Sequence, residues 1–410
     1  MKKTSINIIN AIAVLVLASV AFMQSSCKKD DNTGSGTPAI TQVRSYAATP
    51  ADSVLKEANP GNYVVLQGSH FKGIKAVYFD GIEANVNTAL SSDNTIPVIV
   101  PTIPFATLDQ TKLNTITVVT ATGQVTYKFP VVPLATVITS MSNEDALAGE
   151  TVTVNGSNFF YIDKVILPGG VIVSSGIVTN TLGTTLTFTV PTGVITGGPI
   201  QVVNRYGTGT SVLLFDDFTT GVANNFDNVN NYSWGLSSSP TNSSTLFANN
   251  TGYYGVMNAT SIPAGDWGWY NGGRSINLNA AQLVPAADVT SASLSDYAVK
   301  FEINVPASTP WVNGSIFLSI NYGFTYLAAY DPWKNSDGTT TAFTTNGWQT
   351  VVIPLSQFRT SDGAGSPDTS ISDLIGASGN NALSFFFVND GTTVVTAFTA
   401  AIDNIRVEKI

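Results

Sequence analysis

Two stretches of this 410-residue chain repeat the same pattern without a gap. The segment GNYVVLQGSHFKGIKAVYFDG begins at Gly61 and aligns with GETVTVNGSNFFYIDKVILPGG, which begins at Gly149, at a constant offset of 88 residues. Turn glycines and apolar residues recur in the same order, and Phe71 corresponds to Phe159. Self-similarity of this kind is the signature of a duplicated structural unit. The sequence therefore predicts two copies of one domain.

Each copy is predicted to be a small β-sandwich. The copies cover residues 38–134 and 135–215, and both consist of short alternating apolar runs bounded by Gly, Asn and Pro. The pattern G-x-x-V-x-V-x-G-x-x-F, from Gly149 to Phe159, resembles the immunoglobulin-like modules called IPT or TIG domains. These glycines and apolar residues are packing residues, so the resemblance implies a fold and no chemistry.

The remaining residues, 216–410, are predicted to form a larger β-sandwich of jelly-roll type. Strand-like runs such as YAVKFEINV, WQTVVIPL and AIDNIRV recur through this region. All six tryptophans of the chain lie in it, and it holds 6 Lys and Arg residues against 15 Asp and Glu residues. We therefore predict an all-β chain of two tandem immunoglobulin-like sandwiches followed by a third domain that differs from them in composition.

The first 26 residues are predicted to be a lipoprotein signal peptide. Lys2 and Lys3 precede an apolar run from Ile6 to Met23, and small residues lead into Cys27, the only cysteine. The alternative is a retained transmembrane helix, but this run barely reaches the roughly 20 apolar residues that span a bilayer. Small residues just before a cysteine resemble the lipobox of bacterial lipoproteins. The resemblance implies that Cys27 is acylated and anchors the mature chain.

The polar residues 27–37 are predicted to be a flexible tether, because they contain too few apolar residues to pack. The segment CKKDDN at the start of this tether resembles the export signal that sends lipoproteins to the outer face of the outer membrane. We therefore expect a protein of the cell outer membrane that is lipid-anchored and faces the cell exterior.

Several chemistries are excluded by what the sequence lacks. His70 is the only histidine, and it aligns with Asn158 of the second copy, so we expect it at a turn. Because the one histidine lies in the first copy and the one cysteine is expected to be acylated, the chain cannot supply a Ser-His-Asp triad in the third region, a Cys-His pair or an ordinary zinc site. The net charge of −9, without a basic run beyond the N-terminus, also disfavours nucleic acid as a partner.

The segment AGDWGWYNGGR, residues 264–274, is the main candidate for sugar binding. Rigid aromatic rings offer a flat apolar surface to the C–H face of a pyranose, so Trp267, Trp269 and Tyr270 are expected to stack on sugar rings. The polar side chains among them would hydrogen-bond sugar hydroxyls; these are Asp266, Asn271 and Arg274. The glycines of the segment favour a loop over a buried strand. The alternative is that both tryptophans face the core.

Two further tryptophans lie in segments rich in turn residues. Trp311 follows a proline, and Trp333 lies in AYDPWKNSDG, close to Tyr330. Exposed aromatic rings in loops indicate binding, so we expect these three residues to contact glycan. The alternative is that they pack as lids. Trp348 opens a strand-like run and is expected in the core, while Trp234 remains unassigned.

A structural calcium ion is the only cofactor that the sequence suggests. Asp217, or its neighbour Asp216, and Asp403 lie near the first and last strands of the third region, where related modules hold calcium through oxygen ligands. Adjacent strand residues point to opposite faces, so only one of the two neighbours could contribute its side chain. The alternative is ordinary hydrogen bonding at the ends of strands.

The whole arrangement resembles the surface glycan-binding lipoproteins of polysaccharide utilisation loci. FDDF at residues 215–218, GWQTVVIPLSQF at 347–358 and AIDNIRV at 401–407 resemble strands of carbohydrate-binding jelly rolls. The resemblance implies non-catalytic binding of a polysaccharide, such as a β-linked glucan, xyloglucan or mannan. It also implies a partner, an outer-membrane glycan transporter that takes up the bound chain.

Two other functions stay open at the level of sequence. A glycoside hydrolase or lyase needs two carboxylates across a cleft, and the third region has only two glutamates, Glu302 and Glu408, beside its thirteen aspartates. A surface adhesin for a protein ligand would use the same tandem modules as a stalk, but it would not require tryptophans confined to one domain.

Overall fold

The computed structural model describes residues 36–193, 195–250 and 252–410. The predicted signal peptide, Cys27 and most of the predicted tether lie outside these residues. Over the described ranges, no helix combines the length and the apolar character needed to cross a membrane. The described residues divide into two compact units, one that ends at Leu134 and one that begins at Ala135.

The described part of the first unit is an antiparallel β-sandwich. One sheet has the order β1-β2-β5, and the other has the order β4-β3-β6-β7. Alternate residues of the strands face the core between the two sheets, as the period of two predicts. The strands are β1 (Ala39–Ser45), β2 (Tyr63–Ser69), β3 (Ile74–Phe79), β4 (Ile82–Ala84), β5 (Thr95–Ile99), β6 (Thr115–Thr120) and β7 (Gly123–Lys128).

The second unit begins with a sandwich of the same design, which we call the second module. Its sheets have the orders β12-β13-β9-β8 and β11-β10-β14-β15, and its core holds Phe159 and Phe188. The strands are β8 (Val137–Met141), β9 (Thr151–Ser157), β10 (Ile162–Leu167), β11 (Val171–Val173), β12 (Val178–Thr179), β13 (Thr185–Thr189), β14 (Gly198–Asn204) and β15 (Gly207–Phe215).

The two copies of the repeat share local geometry as well as sequence. A Cβ atom on Gly68 would lie 1.8 Å from the carbonyl oxygen of Ala39, and one on Gly156 would lie 1.9 Å from that of Val137. Only glycine permits such an approach of two backbones, which explains why this residue recurs.

His70 and Asn158 occupy the same turn in the two copies. Both have a φ of 61°, in the left-handed region where Asn and His are enriched among non-glycine residues. The position is therefore set by backbone conformation in each copy.

The rest of the second unit is a larger β-sandwich, and the predicted all-β fold is confirmed. One sheet, called the β27 sheet, has the order β16-β27-β21-β24 with β18 also paired to β27; the other, called the β26 sheet, has the order β17-β19-β26-β22-β23. The elements are β16 (Val222–Asn224), β17 (Tyr232–Trp234), β18 (Gly255–Ile262), β19 (Ser275–Leu278), β20 (Ala281–Gln282), β21 (Tyr297–Asn304), β22 (Ser315–Ile320), β23 (Leu327–Tyr330), β24 (Gln349–Pro354), a short helix α1 (Ile371–Ile375), β25 (Asn380–Asn381), β26 (Leu383–Val388) and β27 (Val395–Lys409).

The β26 sheet is covered on both faces. Every side chain of β22 and β26 is buried. Phe385 and Phe387 face the main core between the sheets, whereas Phe317 and Phe386 face outward and form a second apolar layer. A sheet buried on both faces is encoded by continuous apolar runs, as SIFLSI and LSFFFV are here. Residues 263–274, between β18 and β19, supply the tryptophans that cover this outer layer.

A buried ionic cluster joins the second module to the larger sandwich. Lys300 Nζ lies 3.0 Å from Glu144 Oε1 and 3.1 Å from Glu408 Oε2. Arg406 Nη2 lies 2.7 Å from Glu144 Oε2 and 3.1 Å from Glu302 Oε1. All five side chains are buried. Glu144 belongs to the second module and the other four belong to the sandwich, so the cluster crosses the boundary between them.

Further hydrogen bonds cross the same boundary. The backbone N–H of Glu144 donates to Thr350 Oγ1 over 2.7 Å, and the Thr350 hydroxyl donates to Glu302 over 2.8 Å. Asn404 Nδ2 donates to Asp145 Oδ2 over 3.0 Å. Because buried polar groups of each part take some of their hydrogen-bond partners from the other, the second module and the sandwich form one packed unit.

Lys300→Met should lower the free energy of unfolding by about 3–5 kcal/mol at pH 8, because it removes one of the two buried cations that pair with Glu144 and Glu408 and leaves negative charge in excess. Urea denaturation of the full chain would measure this loss. The loss should shrink at pH 5, because burial raises the pKa of Glu408 and its carboxyl is then closer to taking up a proton.

Lys334→Met is the matched control. Lys334 Nζ lies 3.8 Å from Asp331 Oδ2, but its side chain is 59% exposed, so the same substitution should change stability by less than about 1 kcal/mol. Equal losses in the two variants would contradict a special role of the buried cluster.

Candidate functional site

The loop of residues 263–274 carries two half-buried tryptophans on the outer layer of the β26 sheet. The Trp267 ring centroid lies 5.1 Å from that of Phe317, and the Trp269 centroid lies 5.3 Å from that of Phe386. Both tryptophans therefore rest on the outer layer, on the side of the sheet away from the main core. The loop thus presents aromatic rings outside the sandwich. Of the two alternatives for these tryptophans, a surface loop and the core, the structure shows the surface loop.

Three exposed rings surround Trp269. Its ring centroid lies 5.7 Å from Trp234, 5.8 Å from Phe324 and 6.0 Å from Tyr270. Trp234 is 41% exposed, Phe324 48% and Tyr270 66%. The planes of Trp234 and Phe324 are tilted by only 33° and 35° from Trp269, whereas Tyr270 stands at 78°. We call Trp234, Trp267, Trp269, Tyr270 and Phe324 the aromatic platform.

The loop is held in place by a buried arginine. Arg274 donates from Nη2 to the carbonyl of Gly268, and its Nη1 lies 3.4 Å from Asp266 Oδ2. Asp266 also accepts the N–H of Gly268 over 2.6 Å. These hydrogen bonds, first from Gly268 and then from Arg274, lower the pKa of Asp266. Asp266 and Arg274 were predicted to bind sugar. In the structure, both side chains make hydrogen bonds that fix the conformation of the loop.

A groove of about 350 Å³ opens beside the platform. It lies between the loop and strand β18, and we call it the polar groove. Polar side chains line most of it, including Ser237, Asn258, Thr260, Asp266, Asn271 and Arg274. The three polar residues predicted from the segment AGDWGWYNGGR are therefore brought together here, next to the aromatic rings of the same loop.

Trp311 is a core residue, and the prediction that it contacts glycan is wrong. It is 1% exposed, and its ring packs edge-on against Phe387 and Phe398. Its Nε1 donates to the carbonyl of Gly314 over 2.9 Å. The inward orientation follows from pairing with Phe343, because Trp311 and Phe343 exchange backbone hydrogen bonds as an isolated bridge.

Trp333 and Tyr330 pack close to Trp311. Both are half-buried against the main core, and Trp333 Nε1 donates over 2.8 Å to the Gly314 carbonyl that Trp311 also uses. Burial raises the pKa of Tyr330. Neither ring contacts a ring of the aromatic platform. Their packing matches the alternative of a lid over the core.

The sequence missed two members of the platform, Trp234 and Phe324. They come from β17 and from the segment after β22, which sheet order brings to Trp269. The unbroken apolar runs of β22 and β26 could have indicated this site. Such runs are typical of a sheet that is buried on both faces, so other apolar residues must pack against its outer face. Trp348, in contrast, is buried beside Tyr254, but in an apolar cluster separate from the main core in which it was expected.

The two aspartates proposed for calcium have separate hydrogen-bond partners. Asp217 accepts from the hydroxyls and backbone N–H groups of Thr219 and Thr220. Asp403 accepts from Asn250 Nδ2 over 3.0 Å and from the N–H of Asn404 over 2.8 Å. Among the described residues, no group of three His, Cys, Asp or Glu side chains is placed to hold a metal ion. The arrangement matches the alternative of hydrogen bonding near strand ends.

The carboxylates that could act in catalysis are also engaged by other groups of the protein. Glu302 and Glu408, the only glutamates of the larger sandwich, are buried in the ionic cluster with Lys300 and Arg406. Asp266, which adjoins the platform, is bonded to the loop. A pair of carboxylates that faces a sugar across the platform is therefore not formed by these three residues.

Comparison with protein families gives a match for the larger sandwich. Residues 215–409 match the family model described as the surface glycan-binding protein B xyloglucan binding domain.

Two solved structures share the fold over nearly the whole chain. Surface glycan-binding protein PbSGBP-B from Prevotella bryantii matches with a TM-score of 0.68 at 24% identity, covering 92% of this chain and 99% of that one. SGBP-B from a complex xyloglucan utilization locus in Bacteroides uniformis matches with a TM-score of 0.52 at 21% identity, covering 91% and 99%. At these identities the matches show a shared fold.

A curated relative supports the nature of the repeats. An IPT/TIG domain-containing protein of Bacteroides ovatus is 30% identical over 158 residues, which are 38% of this chain and 32% of the relative. The chain thus spans about a third of the length of the curated relative it matches. The name of that relative is the module type that the repeat pattern resembles.

Asp403→Asn should reduce the loss of stability between pH 5 and pH 8. Burial raises the pKa of Asp403 to about 8, so the folded state retains a proton that the unfolded state has released. Stability from this proton is complete below the unfolded pKa, near 3.8, and is lost as pH rises towards about 8. Melting temperatures at pH 5 and pH 8 would measure the effect.

The pH dependence should be reduced and not removed, because burial also raises the pKa of Asp145 and of Glu302. Asp163→Asn, at an exposed position of β10, is the control and should keep the pH profile of the wild type. A profile of Asp403→Asn as steep as that of the wild type would contradict the assignment.

Proposed function

We propose that this chain binds polysaccharide at the cell surface without cleaving it. The premise is that residues 215–409 match the xyloglucan-binding domain family of surface glycan-binding protein B. The family match and the IPT/TIG name of the relative confirm the resemblance to surface glycan-binding proteins. The observation that carries the proposed mechanism is the aromatic platform around Trp269.

The platform has the properties that sugar stacking requires. Trp234, Trp269 and Phe324 form a continuous apolar surface of rings that are tilted only moderately from one another. A pyranose ring in a β-linked chain presents flat C–H faces, and large rigid aromatic side chains bind such faces with little loss of conformational entropy. The platform therefore receives the main chain of the glycan.

Xyloglucan is the glycan we propose, among the β-linked glucan, xyloglucan and mannan expected from the sequence. The support is the description of the matched family, which specifies a xyloglucan-binding domain. A xyloglucan has a β-linked glucan main chain, which is the shape that a platform of stacked rings accommodates.

Capture without cleavage fits the chemistry of the site. The matched family is a binding-domain family, and both glutamates of the sandwich are buried in the ionic cluster. The exposed rings of the platform lie together on the domain that matches the family, which favours a sugar over a protein ligand.

The remaining parts of the chain would place this site outside the cell. Acylation at Cys27 would anchor the protein in the outer membrane, residues 27–37 would tether it, and the two immunoglobulin-like modules would act as a spacer. An outer-membrane glycan transporter would then take up the polysaccharide that the platform holds near the surface.

Trp269→Ala should weaken xyloglucan binding by about tenfold to a hundredfold, because it removes the central ring of the platform and stacking contributes about 1–3 kcal/mol per ring. Affinity electrophoresis of the full chain in gels that contain xyloglucan would measure this loss. A reducing-sugar assay in parallel should find no release of chain ends.

Trp333→Ala is the matched control, because Trp333 is half-buried outside the platform. Its binding should stay within a factor of about two of the wild type, once its melting curve shows that it is folded. Retained binding in Trp269→Ala, or release of reducing ends by the wild type, would overturn the proposed function.

A further inference from the structure

The polar groove contains hydrogen-bonding groups that the protein leaves unused. The side chains of Ser237, Thr260, Ser261 and Asn271 line it and make no hydrogen bond with the described residues, although most of their neighbours do. Hydroxyl and amide groups can both donate and accept, so together they match a ligand rich in hydroxyl groups. The groove thus differs in kind from the apolar platform.

The groove and the platform share a rim. Trp269 and Tyr270 belong to the platform, and the next residues of the same loop, Asn271 and Gly272, line the groove. On the opposite side, Trp234 ends β17 and the chain reaches the groove at Ser237. A glycan that lies on the platform therefore passes directly beside the groove.

The shape of the rim leaves room for a substituent. A Cβ atom at Gly272 would meet no other atom within 4 Å, so the wall of the groove is open at this point. Tyr270, which stands at 78° to Trp269 and is 66% exposed, lies in the chain between Trp269 of the platform and Asn271 of the groove. The volume of about 350 Å³ lies within the range of pockets that hold small ligands, roughly 300–1,000 Å³.

The charges of the groove favour a neutral ligand. Asp266 and Arg274 are the only charged residues of its lining, and they are bonded to each other and to the loop backbone. The two opposite charges pair with each other, so the lining carries no net charge. The groups that remain free are the uncharged hydroxyls and the amide named above, which suits a neutral sugar.

We propose that the polar groove is a second subsite, which receives a neutral branch sugar of a glycan whose main chain lies on the aromatic platform. This inference rests on the proposed function. Stacking alone recognises the face of a main-chain ring, whereas a site that hydrogen-bonds hydroxyl groups discriminates strongly against ligands that lack them. The groove would therefore determine the preference for a branched over an unbranched chain.

The test compares two oligosaccharides with the same β-linked glucan main chain, one with xylose branches and one without. Isothermal titration of the full chain would give both affinities for the wild type and for the double variant Thr260→Val with Asn271→Ala. Loss of two groove contacts should lower the ratio of the branched to the unbranched affinity by about 5- to 30-fold. If the double variant does not fold, Thr260→Val alone keeps the strand shape and provides the same comparison.

Asn380→Ala is the matched control, because Asn380 is an exposed asparagine of β25 that lies outside the groove and the platform. It should leave both affinities as they are in the wild type. An unchanged ratio in the double variant would overturn the inference, and so would equal losses for both ligands, since these would put the main chain in the groove. Binding of neither ligand by the wild type would instead refute the proposed function.

Discussion

The buried ionic cluster around Arg406 is the constraint that ties the architecture together. Lys300 and Arg406 are cations without access to water, and both depend on Glu144, which the second module supplies. Their other partners, Glu408 and Glu302, lie within the sandwich, so Glu144 completes the pairing of these buried charges when the second module is docked. The matched family covers the sandwich alone, but the physical unit also includes the module before it.

This constraint separates two roles within the sandwich. The β27 sheet carries Lys300, Glu302 and Arg406 and thus faces the second module, whereas the β26 sheet carries the aromatic platform on its outer layer. Docking therefore uses the β27 sheet and stacking uses the β26 sheet, while the polar groove lies beside β18 at the edge of the β27 sheet. Glutamates that would be candidates for catalysis in a cleft are instead committed to docking, which removes them from any chemistry on sugar.

The sequence predicted the fold well because its determinants are local. The turn glycines, such as Gly156, and the apolar residues at every second position indicate strands and turns within a window of a few residues. The same local signals predicted a surface loop at Trp267 and Trp269. They failed at Trp311, because its orientation is decided by pairing with Phe343, a distant residue. Trp234 was beyond local reasoning as well, since the order of strands in the β26 sheet brings it to Trp269.

The outer apolar layer of the β26 sheet also bears on the entropy of binding. Trp267 and Trp269 rest on Phe317 and Phe386, which are themselves fixed inside a closely packed sheet. Rings seated in this way have lost most of their rotamer freedom before a ligand arrives. Binding then requires little further ordering, and preorganisation of this kind makes a few weak contacts sufficient to hold a flexible polymer.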